Sequence, residues 1–296
     1  MNRYVFIGSV NYSGYCLRAL LEMNINMVDI MCPYKEVSTF NSDYFDLGEV
    51  AKDYSKSVYY FEKIKDEARH IEKKRPDIIF VFGLSQIIPI SILKTPTIGC
   101  LGSHPALLPQ NRGRHPIIWA LANGLTKSGV TLFWLNEGVD SGDIWAQKAF
   151  DISVEDNAST IYNKVSNLSI NLLNEKIPEI EKGIVTRIQQ EHSKANYWRK
   201  RTSRDGEIDW RMSSKRINDL VRALTMPYIG AHCNFKGKEI IIWKAKIIDN
   251  CKGVENLESG KVIDVVGSKI IVKTGDGLIA LTDHRFEYLP QVGDYL

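Results

Sequence analysis

The residues best suited to chemistry in this sequence lie in two loops that follow predicted strands. His104 stands in the segment Gly99–Pro116, where prolines and a glycine after it impose a fixed, non-repetitive loop. Asp140 stands in a second loop, Asn136–Asp143, that also follows a predicted strand. A histidine and a carboxylate brought together from two strand ends form a general acid–base arrangement. A lone histidine is more often structural, so the spacing by itself leaves both interpretations open.

Alternating apolar runs and amphipathic stretches predict the elements that must position these loops. Short runs rich in Val, Ile and Phe indicate buried strands, and apolar residues at helical spacing indicate helices. Strands separated by helices predict an α/β fold with a Rossmann-like, mainly parallel sheet. The predicted strands are Tyr4–Gly8, Met27–Met31, Asp77–Phe82, Thr97–Leu101 and Ser128–Trp134, and the predicted helices are Ser13–Met23, Phe61–Lys74 and one that begins at Asn157.

The last third of the chain differs in character. Residues 191–216 are polar and locally basic, and after a helical pattern at Ser214–Leu224 the sequence consists of strand-like runs separated by glycines. This part contains no paired acid–base residues, so we expect it to complete the fold or a homodimer interface. The predicted strands there are Ile240–Ile248, Lys261–Val266, Lys269–Lys273 and Leu278–Thr282. The predicted domains are an α/β domain at 1–190, a linker at 191–205 and a β-rich, barrel-like (OB-like) domain at 206–296.

Composition excludes several classes of protein. The chain has 296 residues, of which 44% are hydrophobic and 25% charged, as in soluble globular proteins. Its net charge of +3 is too balanced for a broad nucleic-acid surface. No apolar run reaches the roughly 18 residues of a membrane span, and the start runs into a strand rather than a signal peptide. The five dispersed cysteines include no C-x-x-C pair, so we expect a reduced, cytoplasmic protein without a metal.

The glycine-containing turn after the first strand is a weaker candidate site. Gly8–Gly14 lies where nucleotide-binding folds place phosphate loops, but it lacks both G-x-G-x-x-G and a G-K-[ST] ending. A tight turn is therefore favoured over a ligand loop at the carboxyl end of the sheet. Asn11, Tyr12 and Ser103 are accordingly minor candidates for substrate binding.

Two long motifs carry a resemblance to a known family. HPALLPQNRGRHPIIWAL, beginning at His104, and GVTLFWLNEGVDSGDI, beginning at Gly129, resemble the signature of formyltransferases that use 10-formyltetrahydrofolate. That family includes glycinamide ribonucleotide transformylase, methionyl-tRNA formyltransferase and sugar-nucleotide N-formyltransferases. RKRTSRDGEIDW, beginning at Arg199, and the stretch after it resemble the region that follows the catalytic domain in the tRNA and sugar enzymes. The resemblance covers nearly the whole chain and implies transfer of a formyl group to an amine.

The resemblance implies roles for individual residues. His104 matches the catalytic histidine of the family, and Asp140 matches the aspartate that orients the imidazole and stabilises its protonated form. Asp143 is either a second functional acid or, as we favour, a residue that caps or pairs locally. Without the family, the favoured interpretation of Gln86–Ile88 is an exposed turn. The positions that match the family's contacts to 10-formyltetrahydrofolate are Gln86, Ile87, Ile88, Arg114, Asn136, Glu137, Gly138, Val139 and Asp140.

One position departs from the family pattern. The family usually has Asn-x-His, with the asparagine donating a hydrogen bond to the developing oxyanion, whereas this chain has Gly102, Ser103 and His104. The Ser103 hydroxyl, a backbone N–H of this turn or protonated His104 could replace that donor. In a strand Ser103 would point away from its two neighbours, so the other two groups are favoured. A binding protein that has lost catalysis is the alternative, against which the retained His104 and Asp140 argue.

The charge of one segment distinguishes two acceptor amines. A methionyl-tRNA formyltransferase must hold a polyanion, and in such enzymes a basic insertion in the first domain is expected to grip the tRNA. Here Pro33–Gly48 contains one lysine against three acidic residues, a net charge of −2. RTSRDGEIDW also resembles the R-T-x-x-D-G-x-I-D-W of sugar-nucleotide enzymes. We therefore expect two small-molecule substrates, 10-formyltetrahydrofolate and an amino-sugar nucleotide that is a polysaccharide precursor. We expect no nucleic-acid or membrane partner. A methionyl-tRNA formyltransferase is the alternative.

Overall fold

The computed structural model describes residues 1–38, 43–249 and 253–296. The strands are β1 (Tyr4–Ile7), β2 (Met27–Pro33), β3 (Tyr59–Phe61), β4 (Ile78–Val81), β5 (Gly99–His104), β6 (Arg112–Gly113), β7 (Lys127–Trp134), β8 (Ile144–Asp151), β9 (Tyr197–Trp198), β10 (Ala231–Phe235), β11 (Lys238–Ile248), β12 (Val262–Val266), β13 (Lys269–Lys273) and β14 (Leu278–His284). The helices are α1 (Asn11–Glu22), α2 (Gly48–Ala51), α3 (Ala68–Lys74), α4 (Ile90–Leu93), α5 (Pro116–Ala122), α6 (Ala158–Glu181) and α7 (Ser214–Leu224).

The chain divides into two compact units. The first comprises residues 1–116, 127–151 and 162–198, and the second comprises residues 117–126, 152–161 and 199–296. Each unit therefore takes segments that are separated in sequence. The predicted boundaries at residues 190 and 206 stay a prediction.

The first unit is built on a seven-stranded sheet in the order β3-β2-β1-β4-β5-β7-β8. Strands β1 to β5 pair in parallel, and β7 and β8 continue the sheet in the antiparallel sense. The parallel strands are short and apolar because both of their faces are covered, and β1 is fully buried. The predicted Rossmann-like, mainly parallel sheet is confirmed, with an antiparallel β7–β8 hairpin at one edge.

The end of β5 differs from the sequence prediction in a way that affects the site, and one strand of the sheet was missed. Strand β5 was predicted to end at Leu101 but continues to His104, which pairs with Thr131 of β7. His104 therefore belongs to the strand itself and not to the loop after it. Strand β8 was not predicted, because its outer half carries polar residues at successive positions such as Gln147 and Lys148.

The predicted helix Phe61–Lys74 is wrong over its first half. Phe61 closes β3, where it pairs with Pro33 of β2, and α3 begins only at Ala68. Phe61, Ile64 and Ile71 all pack in one buried core cluster. Their spacing imitates one face of a helix, although a strand, a 3-10 turn and a helix deliver them to that core in succession.

The turn between β1 and α1 is stabilised by hydrogen bonds to the side chain of Ser13. Ser13 Oγ accepts hydrogen bonds from the backbone N–H groups of Ser9 and Val10 at 3.2 Å and donates to the Phe82 carbonyl at 2.6 Å. A Cβ added at Gly8 would lie 2.3 Å from that carbonyl, so only glycine fits there. Because the turn's amides are bonded internally, the structure favours a tight turn over a phosphate-binding loop.

The second unit contains a five-stranded antiparallel sheet in the order β10-β11-β14-β13-β12. Helix α7 packs on it and is capped at its N-terminus by Ser213, whose side chain accepts from the N–H of Arg216 at 3.2 Å. The predicted β-rich C-terminal domain is confirmed. Strand β10 was not predicted.

The described residues contain neither a membrane-spanning helix nor a metal-binding cluster. No helix among residues 1–38, 43–249 and 253–296 is long and apolar enough to cross a membrane. The same ranges hold no group of three or more His, Cys, Asp or Glu side chains arranged to bind a metal ion. Cys16, Cys32, Cys100 and Cys233 are free and buried, and Cys251 lies outside the described residues.

Candidate active site

The site is centred on His104, which is 4% exposed at the end of β5. Its Nε2 lies 2.7 Å from the carbonyl oxygen of Asn111. Because a carbonyl only accepts, Nε2 must carry the hydrogen, and the neutral ring has its lone pair on Nδ1. Nδ1 lies 3.6 Å from Asp140 Oδ2, which is too long for a hydrogen bond but close enough for an ion pair once the ring is protonated. The structure thus brings the two predicted catalytic residues together.

Asp140 is presented by the tight loop between β7 and β8. Its backbone has a φ of +48°, in the left-handed region, which costs a non-glycine residue about 1–3 kcal/mol. The loop is braced by Asn136 Oδ1, which accepts from the N–H of Gly138 at 3.0 Å and from Ser141 Oγ at 2.9 Å. A Cβ at Gly142 would lie 1.8 Å from the Trp134 carbonyl, so glycine is required for this turn. The loop is therefore held in a strained conformation that directs the carboxylate at His104.

A short segment, which we call the RG arm, consists of Asn111–Arg114 and touches both candidate catalytic side chains. The Asn111 carbonyl accepts from His104, and the Gly113 N–H donates to Asp140 Oδ2 at 2.8 Å. The arm is held as strand β6, which pairs with β9. Gly113 has a φ of +104°, and a Cβ there would lie 2.2 Å from the Trp198 carbonyl. Both candidate catalytic side chains are thus hydrogen-bonded to the backbone of the same short segment.

Sequence reasoning did not single out the side chains that support this arm. Arg112 is 1% exposed and Gln190 is 3% exposed, and they hydrogen-bond to each other at 2.6 Å. Tyr197 and His192 supply further partners for the guanidinium. Arg112 lies within the motif that begins at His104, whereas Gln190 stands in a polar run that carries no motif. No local signal could have identified Gln190, because its role depends on a contact between residues 78 positions apart.

The predicted folate positions outside the β7–β8 loop lie beside the same strand ends. The Gln86 side chain accepts from the Ile64 N–H at 2.8 Å and donates to the Glu62 carbonyl at 2.9 Å, so only its backbone is available to a ligand. Ile87 is 91% exposed. The Arg114 side chain is exposed and makes no hydrogen bond or ion pair with another described residue. The family assignments of these residues stay predictions.

Two of the three minor substrate-binding candidates, Tyr12 and Ser103, meet on the other side of β5 from His104. The Tyr12 hydroxyl donates to Ser169 at 2.8 Å and is also hydrogen-bonded to Ser103. Burial raises the pKa of Tyr12 well above its usual value, so the phenol stays neutral. Asn11 is exposed at the start of α1. Ser103 therefore directs its hydroxyl away from His104, as expected for a neighbour in a strand.

Comparison with protein families matches both parts of the chain. Residues 50–177 match the model of the formyl transferase family, and residues 200–289 match the model of the formyl transferase C-terminal domain. The two matches together cover more than half of the chain, and the first includes His104 and Asp140. The chain belongs to the formyl transferase family. It is therefore an enzyme that transfers formyl groups.

Individual relatives of this formyltransferase extend over its whole length. Methionyl-tRNA formyltransferase from Alkaliphilus oremlandii is 29% identical, with 99% of this chain and 96% of the relative covered. An N-formyltransferase from Helicobacter canadensis, solved with folinic acid and dTDP-3-aminofucose, has a TM-score of 0.73 at 18% identity, covering 95% and 99% of the two chains. HypX from Aquifex aeolicus, solved with tetrahydrofolic acid, has a TM-score of 0.69 at 22% identity. This chain spans only 44% of HypX.

Gly102, where the formyltransferase departs from its family, is closed off by a neighbouring side chain. A Cβ at Gly102 would lie 2.5 Å from Cδ2 of Leu135. Gly102 also pairs with Val81 of β4 and Phe133 of β7, so its backbone lies inside the sheet. The Ser103 hydroxyl is on the opposite face. Of the three candidate replacements for the missing asparagine, the His104 ring and the backbone amides beyond Gly102 are therefore favoured.

We expect His104 and Asp140 to act as one unit. His104→Ala removes the group that exchanges the proton, so kcat should fall on the order of 10²-fold or more while the affinity for the folate stays close to wild type. Asp140→Asn should also lower kcat severely. In steady-state assays with folate affinity measured by calorimetry, the double variant should be little worse than the slower single variant. Multiplicative losses would contradict a shared role.

We expect Gly102→Asn to lower activity, because its side chain would overlap Leu135. Leu135→Ala in the same chain removes the overlapping atoms and should recover part of the loss. Ser103→Ala, the control on the opposite face, should change kcat only a few-fold. A gain of activity in Gly102→Asn alone would show that the glycine is a defect and that no other group has replaced the asparagine.

Proposed function

We propose that this enzyme transfers the formyl group of 10-formyltetrahydrofolate to the amine of an amino-sugar nucleotide. The observation that carries the proposal is the site itself, in which a buried histidine and an aspartate are set 3.6 Å apart. Such a pair suits proton transfer to and from nitrogen at a carbonyl-type carbon. The acceptor is argued separately, from charge.

The groups at the rim of the site suit a folate. Arg114 offers a free guanidinium, which matches the carboxylates of a folate tail. The exposed Ile87 side chain and the backbone of Gln86 and Ile88 offer an apolar contact and hydrogen-bonding groups to a flat heterocycle. The loop Asn136–Asp140 completes the expected contacts. Bound 10-formyltetrahydrofolate would supply the formyl carbon.

His104 and Asp140 supply the proton chemistry in this proposal. Attack of the amine on the formyl carbon places excess positive charge on nitrogen and negative charge on oxygen. The Nδ1 lone pair of His104 takes a proton from the attacking nitrogen, since Nε2 is committed to the Asn111 carbonyl. Asp140 Oδ2, 3.6 Å away, stabilises the resulting imidazolium. His104 then returns the proton to the leaving nitrogen of the folate.

The negative oxygen requires a hydrogen-bond donor that Gly102 does not provide. Loss of such a donor typically costs about 10²–10³ in rate, so a working enzyme needs a replacement. The protonated His104 ring is one candidate. A backbone N–H beyond Gly102 is the other, because β4 pairs with β5 only as far as that residue. We assign the role to these groups jointly and not to Ser103.

The surface charge of the first unit supports a small acceptor over tRNA. Asp43 accepts from the Tyr162 hydroxyl at 2.7 Å, and Asp46 accepts from the Tyr60 hydroxyl at 2.6 Å. These bonds hold both carboxylates in the segment where a tRNA enzyme would need basic residues. Residues 39–42 of the same segment lie outside the described residues. The fixed acidic groups would repel a polyanion.

Most of the basic residues of 199–216 are paired with neighbours in their own unit. Arg199 pairs with Asp205 in an ion pair and lowers the pKa of that carboxyl well below its usual range. Arg211 pairs with Asp209 at 2.7 Å, and Arg201 stacks on the ring of Trp119. Between residues 206 and 296 the chain has 13 Lys and Arg against 12 Asp and Glu, a difference of one. Neither stretch supports a nucleic-acid platform.

Methionyl-tRNA formyltransferase is the second candidate function. The favouring observation is the 29% identity to such an enzyme over nearly the whole of both chains. The two candidates share donor and chemistry and differ only in the acceptor. Their acceptors differ in size and charge, which makes the alternatives separable by assay.

We expect the enzyme, supplied with 10-formyltetrahydrofolate, to formylate at least one of a panel of UDP-, dTDP- and GDP-linked amino sugars. Its kcat/KM on that sugar should exceed that on charged initiator tRNA on the order of 10²-fold or more. Tetrahydrofolate release and product mass measure both reactions. Turnover should change little between about 50 and 200 mM salt, since few phosphates are bound. Efficient, strongly salt-dependent formylation of methionyl-tRNA would reverse the assignment.

A further inference from the structure

We propose that Gln190 and Arg112 form a buried clamp that positions Asp140 against His104. Gln190 Oε1 accepts from Arg112 Nη2 at 2.6 Å and from Nε at 3.2 Å. Gln190 Nε2 donates to the carbonyls of Asp140 at 2.9 Å and Gly142 at 2.6 Å. One amide therefore joins the RG arm to the loop that carries the catalytic carboxylate.

The orientation of the Gln190 amide is fixed by chemistry. A guanidinium only donates, so the oxygen must face Arg112, and the two carbonyls only accept, so the NH₂ must face the loop. The amide oxygen accepts two hydrogen bonds and the NH₂ group donates two, and the residue is 3% exposed. A buried amide with each end matched to a different segment is a specific connection and not a chance surface contact.

Arg112 occupies the other end of the clamp. Its guanidinium is buried and, in the part of the chain that the structure describes, contacts no carboxylate; its remaining partners are Tyr197 Oη at 2.7 Å and His192 Nδ1 at 3.0 Å. Burying a cation among neutral groups is costly, so stability alone does not account for it. The backbone groups on either side of Arg112, the Asn111 carbonyl and the Gly113 N–H, are those that contact His104 and Asp140.

The clamp acts on a segment that needs restraint. Asp140 has a left-handed backbone conformation that a non-glycine residue leaves readily when free to do so. Gln190 bonds the carbonyl of Asp140 itself and that of Gly142, on both sides of the turn. We therefore assign Gln190 as a positioning residue for Asp140 and Arg112 as the group that orients Gln190. This inference rests on formyl transfer and is independent of the acceptor.

Gln190→Glu separates positioning from stability. The glutamate keeps an oxygen facing Arg112 and adds the missing counter-charge, so the thermal midpoint should equal or exceed that of the wild type. Its second oxygen faces the Asp140 and Gly142 carbonyls and repels them, which releases the loop. We expect kcat to fall on the order of 10²-fold, the loss typical of an ångström-scale misplacement, with KM for the acceptor nearly unchanged.

Two further variants make the result specific. In the Asp140→Asn background, Gln190→Glu should cause little additional loss, because the residue acts through Asp140. Gln147→Glu is the matched control, since Gln147 donates to the Leu108 carbonyl and to Thr131 and has no contact with Asp140; its kcat should stay within a few-fold of the wild type. Wild-type kcat in Gln190→Glu, or an equal loss in both backgrounds, would overturn the clamp.

A crystal structure of Gln190→Glu tests the clamp without any acceptor. The distance from His104 Nδ1 to Asp140 Oδ2 should increase beyond 3.6 Å while the fold is kept. An unchanged distance would overturn the proposal. Failure of the wild type to formylate any amino-sugar nucleotide would instead count against the proposed acceptor, and the crystallographic comparison would still decide on Gln190.

Discussion

The hydrogen bond between His104 Nε2 and the Asn111 carbonyl governs the chemistry that this site can perform. Because the carbonyl is a pure acceptor at 2.7 Å, it fixes the hydrogen on Nε2 and leaves Nδ1 as the nitrogen that takes up a proton. Nδ1 is also the nitrogen that faces Asp140. One backbone contact thus selects the tautomer, orients the ring and determines which side of the imidazole the carboxylate can stabilise.

Several other elements of the first unit hold the two partners of that hydrogen bond in place. His104 comes from a central strand, Asp140 from a hairpin turn and Asn111 from the RG arm, and the arm is paired with β9 near residue 197. Glycine is required where backbones approach most closely, at Gly113 and Gly142. The hydrogen bonds through Gln190 then connect the arm to the hairpin. Residues far apart in sequence therefore together determine the distance between His104 Nε2 and the Asn111 carbonyl.

The sequence was sufficient to predict strands β1, β2, β4, β5 and β7 of the sheet and to single out His104 and Asp140 as candidates, because these depend on local patterns. β1 and β13 are short apolar runs, and His104 and Asp140 stand in long motifs. It was insufficient where distant contacts decide the outcome. Strand β5 runs on to His104 because β7 pairs with it, and Gln190 gains its role from Arg112. The close approach of the Leu135 side chain to Gly102 is likewise a tertiary contact, which the spacing of residues in the sequence does not reveal.

The most direct test of this account is the ¹⁵N NMR spectrum of the His104 ring, assigned by comparison with a variant that lacks this histidine. At a pH where the ring is neutral, the account predicts a hydrogen on Nε2 and the chemical shift of a bare lone pair on Nδ1. On acidification, the new proton should appear on Nδ1, beside Asp140. A neutral ring that carries its hydrogen on Nδ1, with Nε2 bare, would contradict it.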